Sequence, residues 1–351
     1  MTVKKSLLIV PSLLACLFSH GPTAAVDLLY TETDRVTLPS SNTWWDYIKM
    51  QPGSSHLYMA RVKDGLTVFD VDTNKVVTTI ENSIGANGPL LLPDYNRGYI
   101  AMTDGTLLTV NLETLKPIER KQLANDGGLN SGFFDPATKL VHFITGTREK
   151  ESTWFTIDPA TGKLLSKKTF PFRKMDDAAT DGKGTIFAPV RYDNIIMKLK
   201  SDTLEEFDRW TVSCNVKKIY YQTHSDRIFG ACGGDKPTFF VLNAQTGEEI
   251  ASIEIGRDLD AMVIDEKRQR IITANGEGSL TVIGQDGPNT FKKLGTIYTS
   301  VGARMMHIDD RTGRLFVVNA TETITPADPK TGDTDYEYHA DTFVVATFTP
   351  Q

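Results

Sequence analysis

The sequence predicts an all-β protein, a single seven-bladed β-propeller closed by an N-terminal strand. Three observations predict it. A β-rich phrase recurs seven times, at Ser55-His56-Leu57-Tyr58, Asn96-Arg97-Gly98-Tyr99, Thr138-Lys139-Leu140-Val141, Gly184-Thr185-Ile186-Phe187, Asp226-Arg227-Ile228-Phe229, Gln269-Arg270-Ile271-Ile272 and Gly313-Arg314-Leu315-Phe316. The last residues of successive phrases stand 41, 42, 46, 42, 43 and 44 residues apart, a period suited to four-stranded blades. The seventh unit offers three strands only, while residues 27–38 form a strand-like segment outside every unit. One blade cannot bury both faces of its sheet, but a closed ring of blades can.

The chain has 351 residues, 40% of them hydrophobic and 23% charged, which is ordinary globular composition. Residues 1–25 are expected to be a signal peptide and 26–351 the propeller. Lys4 and Lys5 form a basic start, and residues 6–18 are apolar but too short to cross a bilayer. Thr23-Ala24-Ala25 is a small-residue cleavage site. The expected location is therefore periplasmic or secreted. The alternative is a lipid anchor through Cys16, because Leu13-Leu14-Ala15-Cys16 loosely resembles a lipobox. Removing 1–25 leaves 36 Lys and Arg against 44 Asp and Glu. That balance gives no general attraction to nucleic acid or to an anionic membrane, so neither is an expected partner.

Residues 27–38, with Leu28, Tyr30 and Val36, are expected to complete the last blade and remove its open edge. Within the blades, one turn recurs between the third and outer strands: Asp70-Val71-Asp72-Thr73-Asn74, Asn111-Leu112-Glu113-Thr114-Leu115, Asp158-Pro159-Ala160-Thr161-Gly162 and Asn243-Ala244-Gln245-Thr246-Gly247. Asp or Asn opens each by bonding its own backbone, and Gly or Asn can close it at positive φ. The fifth unit shows the full pattern, with strands at 218–222, 227–232, 238–242 and 248–255. Cys214 and Cys232 fall at the same end of its first hairpin, and an exported compartment favours their pairing as a disulfide over two free thiols. In the seventh unit, strands are expected at 305–308, 314–318 and 342–348.

Two segments carry a family resemblance. Ile272-Thr273-Ala274-Asn275 and Phe316-Val317-Val318-Asn319 resemble the Tyr-Val-Thr-Asn segment of YVTN-repeat β-propellers. The Phe-x-x-Asp/Asn-x-x-Thr-Gly pattern that follows in that family stands at 155–162 and 240–247. The resemblance extends over nearly all of 27–351. It implies an exported bacterial binding protein, with more distant similarity to the propeller subunits of quinone-cofactor amine dehydrogenases.

Propellers place function at a channel mouth, where loops enter the inner strands. The inner strands are expected to end at Gln51, Asp94, Asp135, Asp181, His224, Asp265 and Asp309. Five positions earlier stand Asp46, Pro89, Asn130, Asp176, Ile219, Asp260 and Arg304, flanked by Trp44, Trp45, Lys174, Asp177, Lys217, Arg257 and Asp258. The candidate ligand-binding residues are Trp44, Trp45, Asp46, Asn130, Asp176, Asp177, Asp260, Arg304 and His339. Asp46, Asp176 and Asp260 could instead hold Ca²⁺, which accepts such oxygen ligands. A solvated rim knitted by internal ion pairs is the competing expectation. A second candidate is the long loop of the seventh unit. In its tail, Asp333, Asp335, Glu337, His339 and Asp341 share one face if the chain is extended. The tail could be a metal site, a ligand clamp or a solvated acidic arm.

No Gly-x-Ser-x-Gly, His-Glu-x-x-His, P-loop, helix-opening Gly-x-Gly-x-x-Gly or Cys-x-x-Cys-His occurs. The expectation is thus a binding or scaffold protein that presents a polar channel mouth to a small ligand or a partner protein, without catalysis or cofactor. The alternative is an enzyme, either a divalent-metal-dependent lactonase-like hydrolase or the propeller subunit of a periplasmic dehydrogenase.

Overall fold

In the computed structural model, residues 29–325 and 335–351 are described. The expected signal peptide, its cleavage site and Cys16 lie outside them. Seven four-stranded antiparallel sheets follow one another around a ring. The first six blades each use four consecutive strands, from Trp45–Met50 in blade 1 to Thr290–Tyr298 in blade 6. Blade 7 combines Met305–Ile308, Leu315–Asn319 and Phe343–Pro350 with an outer strand, Tyr30–Leu38. That outer strand runs antiparallel to the last one, from Tyr30 opposite Pro350 to Leu38 opposite Phe343. The expected closure is therefore present. No helix among the described residues is long and apolar enough to cross a membrane.

The core lies between blades, as the period requires. Tyr58, Val68, Ile100 and Leu108 pack blade 1 on blade 2, and Phe229, Phe239, Ile271 and Ile283 pack blade 5 on blade 6. One larger cluster joins blades 6, 7 and 1 through Ile272, Phe316, Phe343 and Trp45, with Tyr30 from the closing strand. Second and third strands are buried on both faces, whereas outer strands such as Lys116–Gln122 are mostly exposed.

The recurring turns form as their composition dictates. Asp70 Oδ1 accepts from the Asp72 and Thr73 amides at 3.0 and 2.8 Å, and Asn243 Oδ1 from those of Gln245 and Thr246 at 2.9 and 3.2 Å. Asn74, Gly162 and Gly247 close three of the turns at φ of 56°, 75° and 75°, as their residue types favour, whereas Leu115 closes the fourth at 55° against its own preference. Cys214 and Cys232 are disulfide-bonded, with Cα atoms 5.9 Å apart.

The loop of blade 7 contains a two-stranded hairpin, Glu322–Thr325 with Asp335–Tyr338. It leans on the ring through Tyr338, whose ring meets Trp45 edge-on at 5.2 Å.

Candidate functional site

Six of the seven inner strands, those of blades 1 to 6, enter the channel through an irregularity at the same place. The register slips by one residue between Trp45 and Ile48, Ala86 and Gly88, Leu129 and Ser131, Val216 and Lys218, and Leu259 and Ala261. In blade 4 the slip falls between the Met175–Val190 bridge and the Ala179–Phe187 pair. A β-bulge re-aims side chains, so that consecutive residues can address the same side of a sheet. The extra residues are Asp46, Asn87, Asn130, Asp176, Lys217 and Asp260, and Arg304 takes the equivalent place before Met305 in blade 7. Every blade thus contributes one polar or charged residue to the mouth.

Two of these differ from the sequence alignment, which placed Pro89 and Ile219 in the ring. The inner strands of blades 2 and 5 end at Leu92 and Gln222, two residues before the expected Asp94 and His224. Asp94 belongs instead to the 3₁₀ turn Pro93–Tyr95. Counting back five from the observed ends gives Asn87 and Lys217. The signal was available in the sequence, because four residues separate Gln51 from His56, Leu92 from Arg97, Asp135 from Leu140 and Gln222 from Arg227.

Below the ring, a crossbar spans the channel. The Tyr47 hydroxyl, from blade 1, donates to Asp177 Oδ1 of blade 4 at 2.9 Å. Lys218 of blade 5 donates to Asp177 Oδ2 at 3.1 Å and to the Tyr47 oxygen at 3.1 Å, and its ammonium lies 4.3 Å from the centre of the Tyr47 ring. Asn130 Nδ2 approaches the same hydroxyl at 3.4 Å. Blades 4 and 5 face blade 1 across a seven-membered ring, so this contact crosses the bore and narrows it.

Most carboxylates of the site already have cations. Arg191, from the loop after the second strand of blade 4, grips Asp176 with two bonds of 2.5 and 3.0 Å, and Lys174 stands 3.6 Å away. Arg304 meets Asp260 at 3.4 Å. The Lys218 ammonium holds the Asp177 carboxyl down to about 2 against the opposing effect of burial. Asp46 differs. Among the described residues it has no hydrogen-bond or ion-pair partner. Burial, and then the neighbouring Asp260 charge, push its carboxyl up to about 7. Such shifts cluster where a site is built to exchange protons or bind charge. Counting Lys49, Lys174, Arg191, Lys217, Lys218 and Arg304 against Asp46, Asp176, Asp177 and Asp260, cations outnumber carboxylates. No three His, Cys, Asp or Glu side chains among the described residues gather at metal-ligating spacing.

The remaining candidates take different places. Trp44 is exposed on the rim. Trp45 is buried against Phe343 and Tyr338, so it supports the ring from the core side, and the Arg304 guanidinium stacks over it at 5.9 Å. His339 is exposed and bonds Thr323 at 2.8 Å across the base of the hairpin. Asp341 turns away from the site, its carboxyl capping the Ser40 amide at 3.2 Å. Asp333 lies outside the described residues. Sequence reasoning missed Tyr47, Lys49, Arg191 and Lys218. No spacing rule could have found the crossbar, which joins residues 171 positions apart.

No family model matches the chain, and a search of curated proteins gives no match. Solved structures do resemble it. A chain of Kuenenia stuttgartiensis hydrazine synthase superposes with a TM-score of 0.66 at 12% identity, covering 87% of this chain and 98% of that one. A chain from the crystal structure of the mitotic checkpoint complex gives a TM-score of 0.68 at 11% identity, covering 95% of this chain and 100% of that one. At such identities the likeness shows the propeller fold alone.

Proposed function

We propose that this is an exported, non-catalytic binding propeller that receives a small polar ligand at the bulged mouth of its channel. The observation that carries the reading is the ring itself: Asp46, Asn87, Asn130, Asp176, Lys217, Asp260 and Arg304, one residue from each blade. Burying charges is costly, and a ring of isoleucines would pack a channel more cheaply. Asp46 offers an acceptor with no internal partner, while Lys217 and Arg304 offer cationic donors. Such a set favours a ligand that carries both a donor group and an anionic group. The leader-like start, the Cys214–Cys232 bond and the YVTN resemblance support export.

Titration calorimetry of the mature chain against small amino acids and hydroxy acids tests this. A bound member of that set should lose about tenfold or more in affinity in both Asp46→Asn and Arg304→Gln. Absence of any binder would remove the reading. Turnover of a small substrate, abolished by Asp176→Ala or Asp260→Ala, would replace it with an enzymatic one.

A partner protein on the same face is a second reading with its own support. Trp44, Ile84 and Val301 stand 37%, 69% and 58% exposed where the chain enters blades 1, 2 and 7. Exposed apolar residues beside a polar mouth are a common form of interface core. Co-purification lost on Ile84→Glu with Val301→Glu is the outcome expected of it.

A further inference from the structure

The opposite end of the channel holds a cavity of about 520 Å³, within the range of small-ligand pockets. None of the seven ring residues lines it. Its lip is formed by turns leaving the inner strands of blades 6 and 7, with Glu266, Lys267 and Asp310. Its walls include Phe133, Ile219, Met262, Val263 and Ile264. Its inner end is the underside of the crossbar, with Lys49 one pleat below Tyr47.

The charges of this cavity do not balance at its inner end. Lys218 and Asp177 neutralise each other. Lys49 has no hydrogen-bond or ion-pair partner among the described residues, and burial holds its ammonium below the ordinary lysine range. His307 donates no compensating charge. Its Nδ1 lies 3.0 Å from the Ile308 carbonyl, and burial lowers the ring to about 3, so it stays neutral. The result is one surplus cation at the end of an apolar-walled space. The lip is different. Glu266 accepts from Tyr220 and Gln222, Asp310 has no cation within bridge distance among the described residues, and Lys267 is spent on the Asp310 and Arg311 carbonyls at 2.6 and 3.3 Å. Two carboxylates therefore guard the entrance and disfavour a multiply charged anion.

We propose that this cavity is a second binding site, specific for a small monocarboxylate with an apolar body, whose head group pairs with Lys49. The apolar walls bury the body, and Lys218, whose ammonium gives one N–H to Asp177 and one to the Tyr47 oxygen, has a third to offer beside the head. Phosphate and dicarboxylates are rejected by the lip and by the want of a second free cation.

The test is calorimetry on the mature chain with hexanoate and phenylacetate as probes. Hexanol and inorganic phosphate are the comparisons. Both carboxylates should bind, and hexanol and phosphate should bind about tenfold more weakly or not at all. Lys49→Met should weaken the carboxylates about tenfold, and Lys49→Arg should retain them within about threefold. Asp177 keeps Lys218 as its ion-pair partner in the methionine variant, so its thermal midpoint should change little. Should it fail to fold, the comparison of acid, alcohol and phosphate on the unaltered chain still decides. Hexanoate that gives no heat at millimolar concentration, binds Lys49→Met equally, or is matched by phosphate would overturn the proposal.

Discussion

Burial drives the carboxylates of this channel either to a partner or to a change of protonation. Asp177 illustrates the first outcome. Lys218 offsets its desolvation at 3.1 Å and Tyr47 adds a donor. Lys218→Met should therefore cost about 2–3 kcal/mol, because it leaves a half-buried carboxylate with only the Tyr47 donor and the Lys49 charge to offset its desolvation. Urea unfolding at pH 7 measures it. Tyr47→Phe leaves the ion pair in place and should cost only about 1–2 kcal/mol. Asp46 illustrates the second outcome, with its carboxyl raised to about 7. The folded protein holds that proton more tightly than the unfolded chain does. Folding then takes up a proton between pH ~4 and ~7, and the Asp46 contribution to stability falls as pH rises through that window. Asp177, lowered to about 2, has the opposite sign: its stabilisation is present above pH ~4 and is lost as pH falls toward 2. Asp46→Asn should be nearly neutral at pH 4 and stabilising at pH 8, a difference that denaturant titrations at the two pH values would record. Equal effects at both would show that Asp46 is an ordinary solvated carboxylate.

At the scale of the element, two devices decide where side chains point: the turn that closes each blade and the bulge that opens it. Gly247 and Gly162 occupy the same turn position at φ 75°. A methyl group on Gly247 would stand 2.6 Å from the Trp210 ring, whereas on Gly162 its nearest neighbour would be 3.7 Å away. Gly162→Ala should cost about 1 kcal/mol for backbone strain alone, and Gly247→Ala about 2 kcal/mol or more, read from thermal unfolding. The disulfide ties the entry of blade 5 to the end of its second strand. Removing it as a Cys214→Ala, Cys232→Ala pair should cost about 3 kcal/mol for a loop of this size. Turns and strands were legible because their chemistry is local. Asn and Asp caps, glycines at positive φ and alternating apolar residues are each readable within ten residues. The bulge was not legible as a bulge. It has no fixed residue type here, being Asp, Asn or Lys in different blades. Trp45 showed the consequence. It reads as a mouth aromatic, yet the irregularity after it sends Asp46 and Tyr47 inward and leaves Trp45 in the core. In blades 2 and 5 the missing terminal Asp shifted the expected strand end by two residues, and with it the ring position.

For the whole molecule, the period fixes both fold and site. Seven units that cannot bury their own faces must close, and closure brings one residue of each to a common axis. The closing strand makes blade 7 independent of any partner edge. Deleting residues 27–38 should uncover the Phe343–Pro350 edge and yield a chain that aggregates, as light scattering would show. What stayed illegible in the sequence is what joins distant blades: the Tyr47–Asp177–Lys218 crossbar and the Arg191–Asp176 clamp. These depend on which side chains meet after closure, which no local pattern encodes. The convergence of blades 1, 6 and 7 on one mouth is most directly tested by a carboxyl-detected NMR titration of Asp46. Its midpoint should lie near 7, fall in Asp260→Asn and rise in Arg304→Gln, because the first removes a repelling charge and the second an attracting one. A midpoint near 4 that neither substitution moves would mean that the three residues do not share a mouth.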